Sequence, residues 1–406
     1  ARQKDGAAAY GKADGAMRDL RQRLMAIAKN SEAKRPESPP EVKAGETFFC
    51  REGIVPRAML GDIDSVTLND VCTCDPYFSG KSWHTERLLF LDTETTGLSG
   101  GAGTVAFEIG AGWIEPRGMV IRQYVMRDYG QEADMLREVA SLIARADTIV
   151  TFNGKSFDLP LLESRMIMNR IRVYVTDMPH LDLLHAARRV YKLRLGRCNL
   201  TALEEAVLGK TRRDDLPGAQ VPERYFTYLK TGEFALLEDV LRHNFDDIQS
   251  LAELTAVICS AYRQPELLRY EQDILSVGKT LLHGKRTQQA RNCLKILGHS
   301  TLAPQAHLYL ASSYKQGREW TEAAELWKTM IAKGEGGAWP YIELAKYYEH
   351  VQHDYDKALR YATSALQYLL NTMPLNGDDE KQTAPLFKRI ERLKRKQRTY
   401  QGGIIP

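Results

Sequence analysis

The sequence predicts an α/β chain, a mixed sheet with flanking helices, followed by an all-α repeat domain. Three observations carry this. Short apolar, β-branched runs cluster between Leu88 and Phe152, as buried strands do. From Glu132 onward helical periodicities alternate with them, which puts helices over a mixed sheet. The last third is helical throughout and repeats with a step of 34 residues, the signature of stacked helical hairpins.

The elements follow in order. Residues 1–45 read as one amphipathic helix, with Met17, Leu20, Leu24 and Ile27 at helical spacing, and a linker broken by Pro36, Pro39 and Pro40. Residues 46–87 hold short mixed runs and read as an N-terminal extension of the α/β domain, which itself spans 88–262. Leu88–Leu91, Val105–Ile114, Val120–Met126 and Thr148–Phe152 are strands. Glu132–Ala146, Leu159–Arg170, Leu181–Tyr191 and the long Leu236–Tyr262 segment are helices. Residues 266–372 are the repeats. Ala290, Ala324 and Ala358 are 34 apart, as are Leu310 and Leu344, Ala311 and Ala345, Tyr314 and Tyr348. Small residues recurring at helix crossings at that step match the tetratricopeptide pattern. Such hairpins bury their apolar faces only by stacking. Residues 373–406 form a basic tail. Lys388–Arg398 carries seven Lys/Arg against one Glu. It reads either as a solvated final helix with Phe387, Ile390 and Leu393 inward, or as a nucleic-acid contact.

Composition narrows the class. At 406 residues the chain holds two or three domains. With 43% hydrophobic and 27% charged residues it is globular rather than disordered. A net charge of +4 permits an anionic partner without demanding one. No apolar run approaches the ~18 residues of a membrane span, and the first thirty residues hold no secretory pattern. Six cysteines without framework spacing fit a reducing compartment, so a cytoplasmic location is expected. Cys72 and Cys74 form a lone C-x-C, either buried thiols or half of a metal site.

Three short motifs carry the chemistry. Asp92-Thr-Glu94 ends the first apolar strand and precedes Thr95-Thr96-Gly97. Residues two apart on a strand share a face, so the two carboxylates crowd together, a cost that a divalent cation relieves. Asn153-Gly154 makes a tight turn after the last strand, and Asp158 follows near a helix start, as a cap or as a third acid. His243 and Asp247 are four apart on the long helix and share one face, as a salt bridge or as part of a site. Asp246 points away and reads as surface.

In this order the motifs resemble the DEDD exonuclease superfamily, whose fold is ribonuclease-H-like, over about Leu88–Tyr262. His180-Leu-Asp182, Arg212–Gly218, Tyr225–Gly232 and His243-Asn244 narrow the resemblance to the YprB/MrfB family, which joins this nuclease domain to tetratricopeptide repeats. The resemblance implies a metal-dependent exonuclease hydrolysing DNA phosphodiesters, 3′→5′ by the superfamily's habit, in DNA repair beside a helicase partner. It makes Asp92, Glu94, Asp158 and Asp247 the ligands of two divalent cations, Mg²⁺ or Mn²⁺, which four hard oxygen donors suit. His243 would orient or deprotonate the attacking water. The sequence departs from the superfamily here. One subtype has Tyr four residues before the last Asp and the other His five before it, whereas this chain has His at the four-residue spacing. Backbone N–H groups of Thr95, Thr96 and Gly97, with Asn153, would hold the terminal nucleotide, and Phe157 or Leu98 would wedge against its base. Asp182 reads as a structural carboxylate. The alternatives are the same chemistry on RNA, since only 2′-OH contacts separate the sugars, and a non-cleaving nucleic-acid or protein adaptor. The repeats would bind a protein partner, and no membrane is involved.

Overall fold

The computed structural model describes residues 47–97, 103–212, 216–372 and 379–402. The expected N-terminal helix and linker, Leu98 and the middle of the glycine-rich loop lie outside the described residues. The chain order is β1 (Phe49–Pro56), α1 (Leu68–Cys74), β2 (Leu88–Thr95), β3 (Ala106–Glu115), β4 (Gly118–Val125), α2 (Glu132–Ile143), β5 (Thr148–Thr151), α3 (Asp158–Met168), β6 (His180–Asp182), α4 (Leu183–Leu195) and α5 (Leu200–Leu203). After α5 come a π turn, Glu204–Leu208, then α6 (Val221–Thr231) and α7 (Glu238–Arg263). The C-terminal region is helical: α8 (Glu271–His283), α9 (Thr287–Lys295), α10 (Ala303–Gln316), α11 (Trp320–Ala332), α12 (Trp339–His350), α13 (Tyr355–Thr372) and α14 (Asp379–Gly402).

The six strands form one mixed sheet in the order β1-β4-β3-β2-β5-β6. The first four pair antiparallel, while β2–β5 and β5–β6 are parallel. Side chains alternate across the sheet. Leu88 and Phe90 enter one core with α4 and α7, whereas Leu89 and Leu91 enter the other with α2, α3 and α6. The same alternation sends Asp92 and Glu94 to the α7 side and Thr93 to the α3 side.

One sequence expectation in the sheet needs correction. The segment read as a helix from Leu181 opens with strand β6, and its helix starts at Leu183. Three residues carry too little pattern to register as a strand; pairing with β5 makes them one. The poorly patterned 46–87 stretch supplies edge strand β1, paired to β4 along its whole length.

The core that covers the α7 side of the sheet continues into the C-terminal helical region. Ile274, Leu275, Val277, Ala290, Leu294 and Leu310 belong to the same buried cluster as Phe90 and Ile248. Arg194 on α4 bonds Asp273 on α8 at 2.8 Å. Farther on, Ala311, Ala324, Trp327, Leu344, Ala345 and Ala358 build a second helical core. Helix α14 closes it with Leu386, Ile390 and Leu393. Phe387, expected inward, is 51% exposed, and Leu386 takes its place, since 386, 390 and 393 share one helical stripe.

Part of the basic character of α14 is structural. Glu349 on α12 accepts hydrogen bonds from Arg389 (2.6 Å), Arg392 (2.9 Å) and Lys396 (3.1 Å). Burial alone would raise this carboxyl; the Arg392 and Lys396 bonds and neighbouring positive charge reverse that and hold it at about 2. A depressed acid stabilises the fold above its unfolded value of 4.5, and the contribution is lost as pH falls toward about 2. Glu349→Gln is expected to cost about 2 kcal/mol at pH 7 and progressively less below pH 4.5. Urea midpoints at pH 7 and pH 3 check it; an equal loss at both would remove the ionic account.

Candidate active site

The site lies where β2 ends beneath α7. Asp92 and Glu94 occupy the last turns of the β2 pleat, with a bulge between Glu94 and Thr95 in its pairing to β3. Helix α7 comes close to the sheet because β3 offers glycine opposite. Gly110 pairs with Asp92 across the ladder, and a Cβ on it would stand 2.1 Å from Asn244 Oδ1. Asn244 fills that space, donating from Nδ2 to Asp92 Oδ2 at 3.0 Å. Gln123 on β4 donates to Glu108 Oε1 (2.9 Å), to the Leu241 carbonyl (2.6 Å) and to Asn244 Oδ1 (3.3 Å). This chain of bonds sets the register of α7, so His243 and Asp247 stand over Asp92 and Glu94.

Asp158 arrives from the other side of β2. It is the first residue of α3 rather than its cap, and Thr93 Oγ1 donates to its Oδ1. Its loop is pinned by Asp182, which accepts the N–H groups of Asn153 (2.8 Å) and Lys155 (3.1 Å) and caps α4 through Leu184 N–H (3.0 Å). Asn153 adopts φ 66°, a left-handed conformation that asparagine tolerates better than most residues. Asp182 is therefore structural, as expected.

The electrostatics are those of a concentrated anionic site. Burial, then the charges of Asp247, Asp158 and Glu94, push Asp92 well above its ordinary value. Burial, Glu108, Asp247 and Asp158 do the same to Glu94. Burial raises Asp158 to about 6 against the Thr93 bond. Asp247 is also raised by burial, against the charges of His243 and Arg212. Glu108, paired with Glu94 across the ladder, is a fifth carboxyl. Burial lifts it to about 8 despite the Gln123 bond, so it is neutral at pH 7.

Arg212 is the counter-charge. It donates to Asp247 Oδ1 and forks onto Glu204 of the π turn at 2.7 and 2.6 Å. Its Nη1 lies 3.0 Å from His243 Nδ1. A guanidinium only donates, so Nδ1 accepts and the ring proton sits on Nε2. That nitrogen faces Glu94 Oε1 at 3.8 Å and Asp247 Oδ2 at 3.6 Å. His243 thus presents a donor to the carboxylates, and its free lone pair is taken by Arg212. Asp246, expected at the surface, is half-buried beside Arg212 and Lys210, and burial raises its carboxyl.

Of the residues expected to hold a nucleotide, Asn153 is exposed and Phe157 half-buried beside Asp158. Thr95 spends its hydroxyl on the Gly97 carbonyl at 2.8 Å, and Thr96 donates its N–H to the Val105 carbonyl at 2.9 Å. The backbone N–H of Thr96 is therefore already engaged, a correction to its expected role. Among the described residues no group of three or more His, Cys, Asp or Glu side chains already has the spacing of a cation site. Arg212 stands on Asp247 and Asn244 on Asp92 instead. Of the C-x-C, Cys74 is buried and Cys72 half-buried, both as free thiols.

Comparison with known proteins places this architecture. A family model of the RNase H superfamily matches residues 89–259, which run from β2 into α7. Uncharacterized protein YprB of Bacillus subtilis (strain 168) is 34% identical over 330 residues, covering 78% of this chain and 77% of its own length. The chain belongs to the YprB family. A family B DNA polymerase from the hyperthermophilic archaeon Pyrobaculum calidifontis aligns at 16% identity, over 55% of this chain and 29% of its own, with a TM-score of 0.30. That likeness is too weak to carry an argument. No described helix of this YprB-family chain is long and apolar enough to cross a membrane.

Several site residues of the YprB-family chain escaped sequence reasoning. Glu108 and Gln123 each interrupt an apolar strand run, and a buried polar residue in such a run signals a partner. Thr93 and Asn244 sit inside the motifs yet carried no assigned role. Arg212 sits in the Arg212–Gly218 motif without an assigned role and Glu204 gave no local signal, because their pairing with Asp247 exists only in the folded chain.

Proposed function

We propose that this YprB-family protein is a metal-dependent exonuclease that hydrolyses DNA phosphodiester bonds, with 3′→5′ polarity. The observation that carries the reading is the convergence of Asp92, Glu94, Asp158 and Asp247 from β2, α3 and α7, each carboxyl raised by burial. Burying like charges together costs stability, and that cost makes sense where cations are to be bound. The donor set fits Mg²⁺ or Mn²⁺, which take oxygen ligands, and these four residues would hold two such ions. Bound ions would supply an activated water and charge stabilisation at the leaving oxygen.

The chain's own residues do the rest. His243 holds its proton on Nε2 facing the carboxylates, which suits orienting a water rather than deprotonating it. Arg212 and Glu204 fix His243 and Asp247 relative to each other. Asn244 holds Asp92 against the sheet. Phe157 and Asn153 are the side chains left to meet the terminal nucleotide. We read residues 88–262 as the nuclease domain, 46–87 as its extension, and 266–372 as tetratricopeptide-type repeats that recruit a protein partner. A helicase working in DNA repair is the partner class in this reading.

Matched end-labelled single-stranded DNA, duplex DNA and RNA, incubated with Mg²⁺, Mn²⁺ or EDTA, test the proposal. Metal-dependent ladders on DNA that shorten from the 3′ end are expected. Preferential loss of RNA would reassign the substrate. Binding without cleavage in any metal would leave an adaptor.

A further inference from the structure

Helix α4 and the residues after it carry five cations whose fates differ. Arg189 bonds the Cys74 carbonyl at 2.8 Å and Asp75 at 3.2 Å, and Arg194 bonds Asp273 at 2.8 Å. Arg188, Lys192 and Arg197 are exposed. Among the described residues the side chains of these three make no hydrogen bond, ion pair or ring contact. All three line one cavity of about 650 Å³, with Phe152 and Asn153 on its other side. Leu184 and Leu200 give it apolar wall.

Both walls of this groove lead to the carboxylates. Phe152 and Asn153 begin the loop that ends at Asp158, and Asp182 holds that loop to the start of α4. Leu200 opens the short helix whose next turn carries Glu204, the anchor of Arg212 at Asp247. An unpaired cation trio beside an aromatic ring and apolar wall matches single-stranded nucleic acid, which presents phosphates and base faces together.

We propose that the groove between the Phe152–Asn153 turn and α4 is the track of the single-stranded nucleic acid whose end lies at the carboxylates. Arg188, Lys192 and Arg197 take successive phosphates, and Phe152 offers a face to a base. This rests on the nuclease reading and adds to it where the strand runs.

The test measures binding apart from cleavage. Fluorescence anisotropy is read with same-sequence single-stranded DNA and RNA in EDTA, on wild type and on Arg188→Gln/Lys192→Gln/Arg197→Gln. A control, Lys295→Gln/Lys333→Gln/Arg360→Gln, removes the same charge from exposed positions in the helical region. The groove variant is expected to bind at least ~10-fold more weakly. The slope of log K against log salt should fall by about 2, from roughly 0.7 per phosphate contact on a single strand. The control should stay within about 2-fold, and thermal midpoints should match because all three groove residues are exposed. Wild-type affinity and slope in the groove variant, or an equal loss in the control, would overturn the track. If wild type cuts and the groove variant cuts with unchanged KM, the track fails while the nuclease stands. If binding depends on the groove but wild type cuts nothing, the nuclease reading fails and the track stands. Loss on either arm supports the track, and loss on one arm alone identifies the sugar.

Discussion

Asp92→Asn is expected to lower nuclease turnover by about 10³-fold or more while leaving thermal stability unchanged or higher. Asparagine keeps the size of the side chain and can accept from Asn244 Nδ2, which bonds Asp92 at 3.0 Å. It removes a buried charge facing Asp247, Asp158 and Glu94. The sign follows from linkage. A carboxyl whose folded value is raised keeps its proton to higher pH in the folded chain than in the unfolded one, so it costs stability as pH rises past the unfolded value. Without divalent cation the variant should therefore melt at or above wild type at pH 8, and the gap should close toward pH 4. With Mn²⁺ the order should invert, because a ligand that binds only the folded state stabilises it by mass action, and the variant has lost a ligand. Scanning calorimetry at the two pH values, with and without Mn²⁺, reads all of this. A variant that melts well below wild type in EDTA would mean that Asp92 is held by favourable interactions rather than poised for a cation.

Arg212→Ala should cost about 3–5 kcal/mol of stability, the usual penalty for breaking a buried ion pair by removing one partner. Glu204 would be left buried, with its side chain only 2% exposed and with Ser250 Oγ at 2.5 Å as its remaining donor. Arg212→Met/Glu204→Met should recover most of that loss, since a well-packed apolar pair can replace a buried ionic one. It should not recover nuclease activity, because His243 and Asp247 would still lack the guanidinium that spaces them. Denaturant midpoints and turnover for the single and double variants separate the effects. Equal destabilisation in both would assign the loss to packing. Full activity in the double variant would remove Arg212 from the positioning of the site.

The two variants differ because the two kinds of charge differ. Asp92 sits among like charges, and removing it relieves the fold. Arg212 joins Glu204, Asp247 and His243 across three segments, and removing it strands them. Clustering buried acids costs stability, and the guanidinium recovers some of it.

Much of this was legible in the chain itself. Asp92 and Glu94 follow an apolar strand, and period-2 geometry alone puts them on one face. His243 and Asp247 are four apart on a long helix, and period-3.6 geometry alone puts them on one face. The 34-residue step predicts buried alanines at 290, 324 and 358, which are buried. Each of these is a local periodicity, readable without knowing what the element packs against. What the tertiary structure alone decided is everything that depends on contact between distant segments. Strands β1 and β6 carry too little pattern to declare themselves and exist through pairing with β4 and β5. Gly110 reads as a weak strand residue until Asn244 occupies its missing Cβ. Arg212 opens a motif but has no assigned role until the fold sets it between Glu204, Asp247 and His243. The first C-terminal helices share a core with the sheet, although the sequence reading sets 266–372 apart from 88–262. Periodicity is a property of neighbours along the chain. Partnership across 35 residues, as between Arg212 and Asp247, is set by which surfaces meet when the apolar faces are buried.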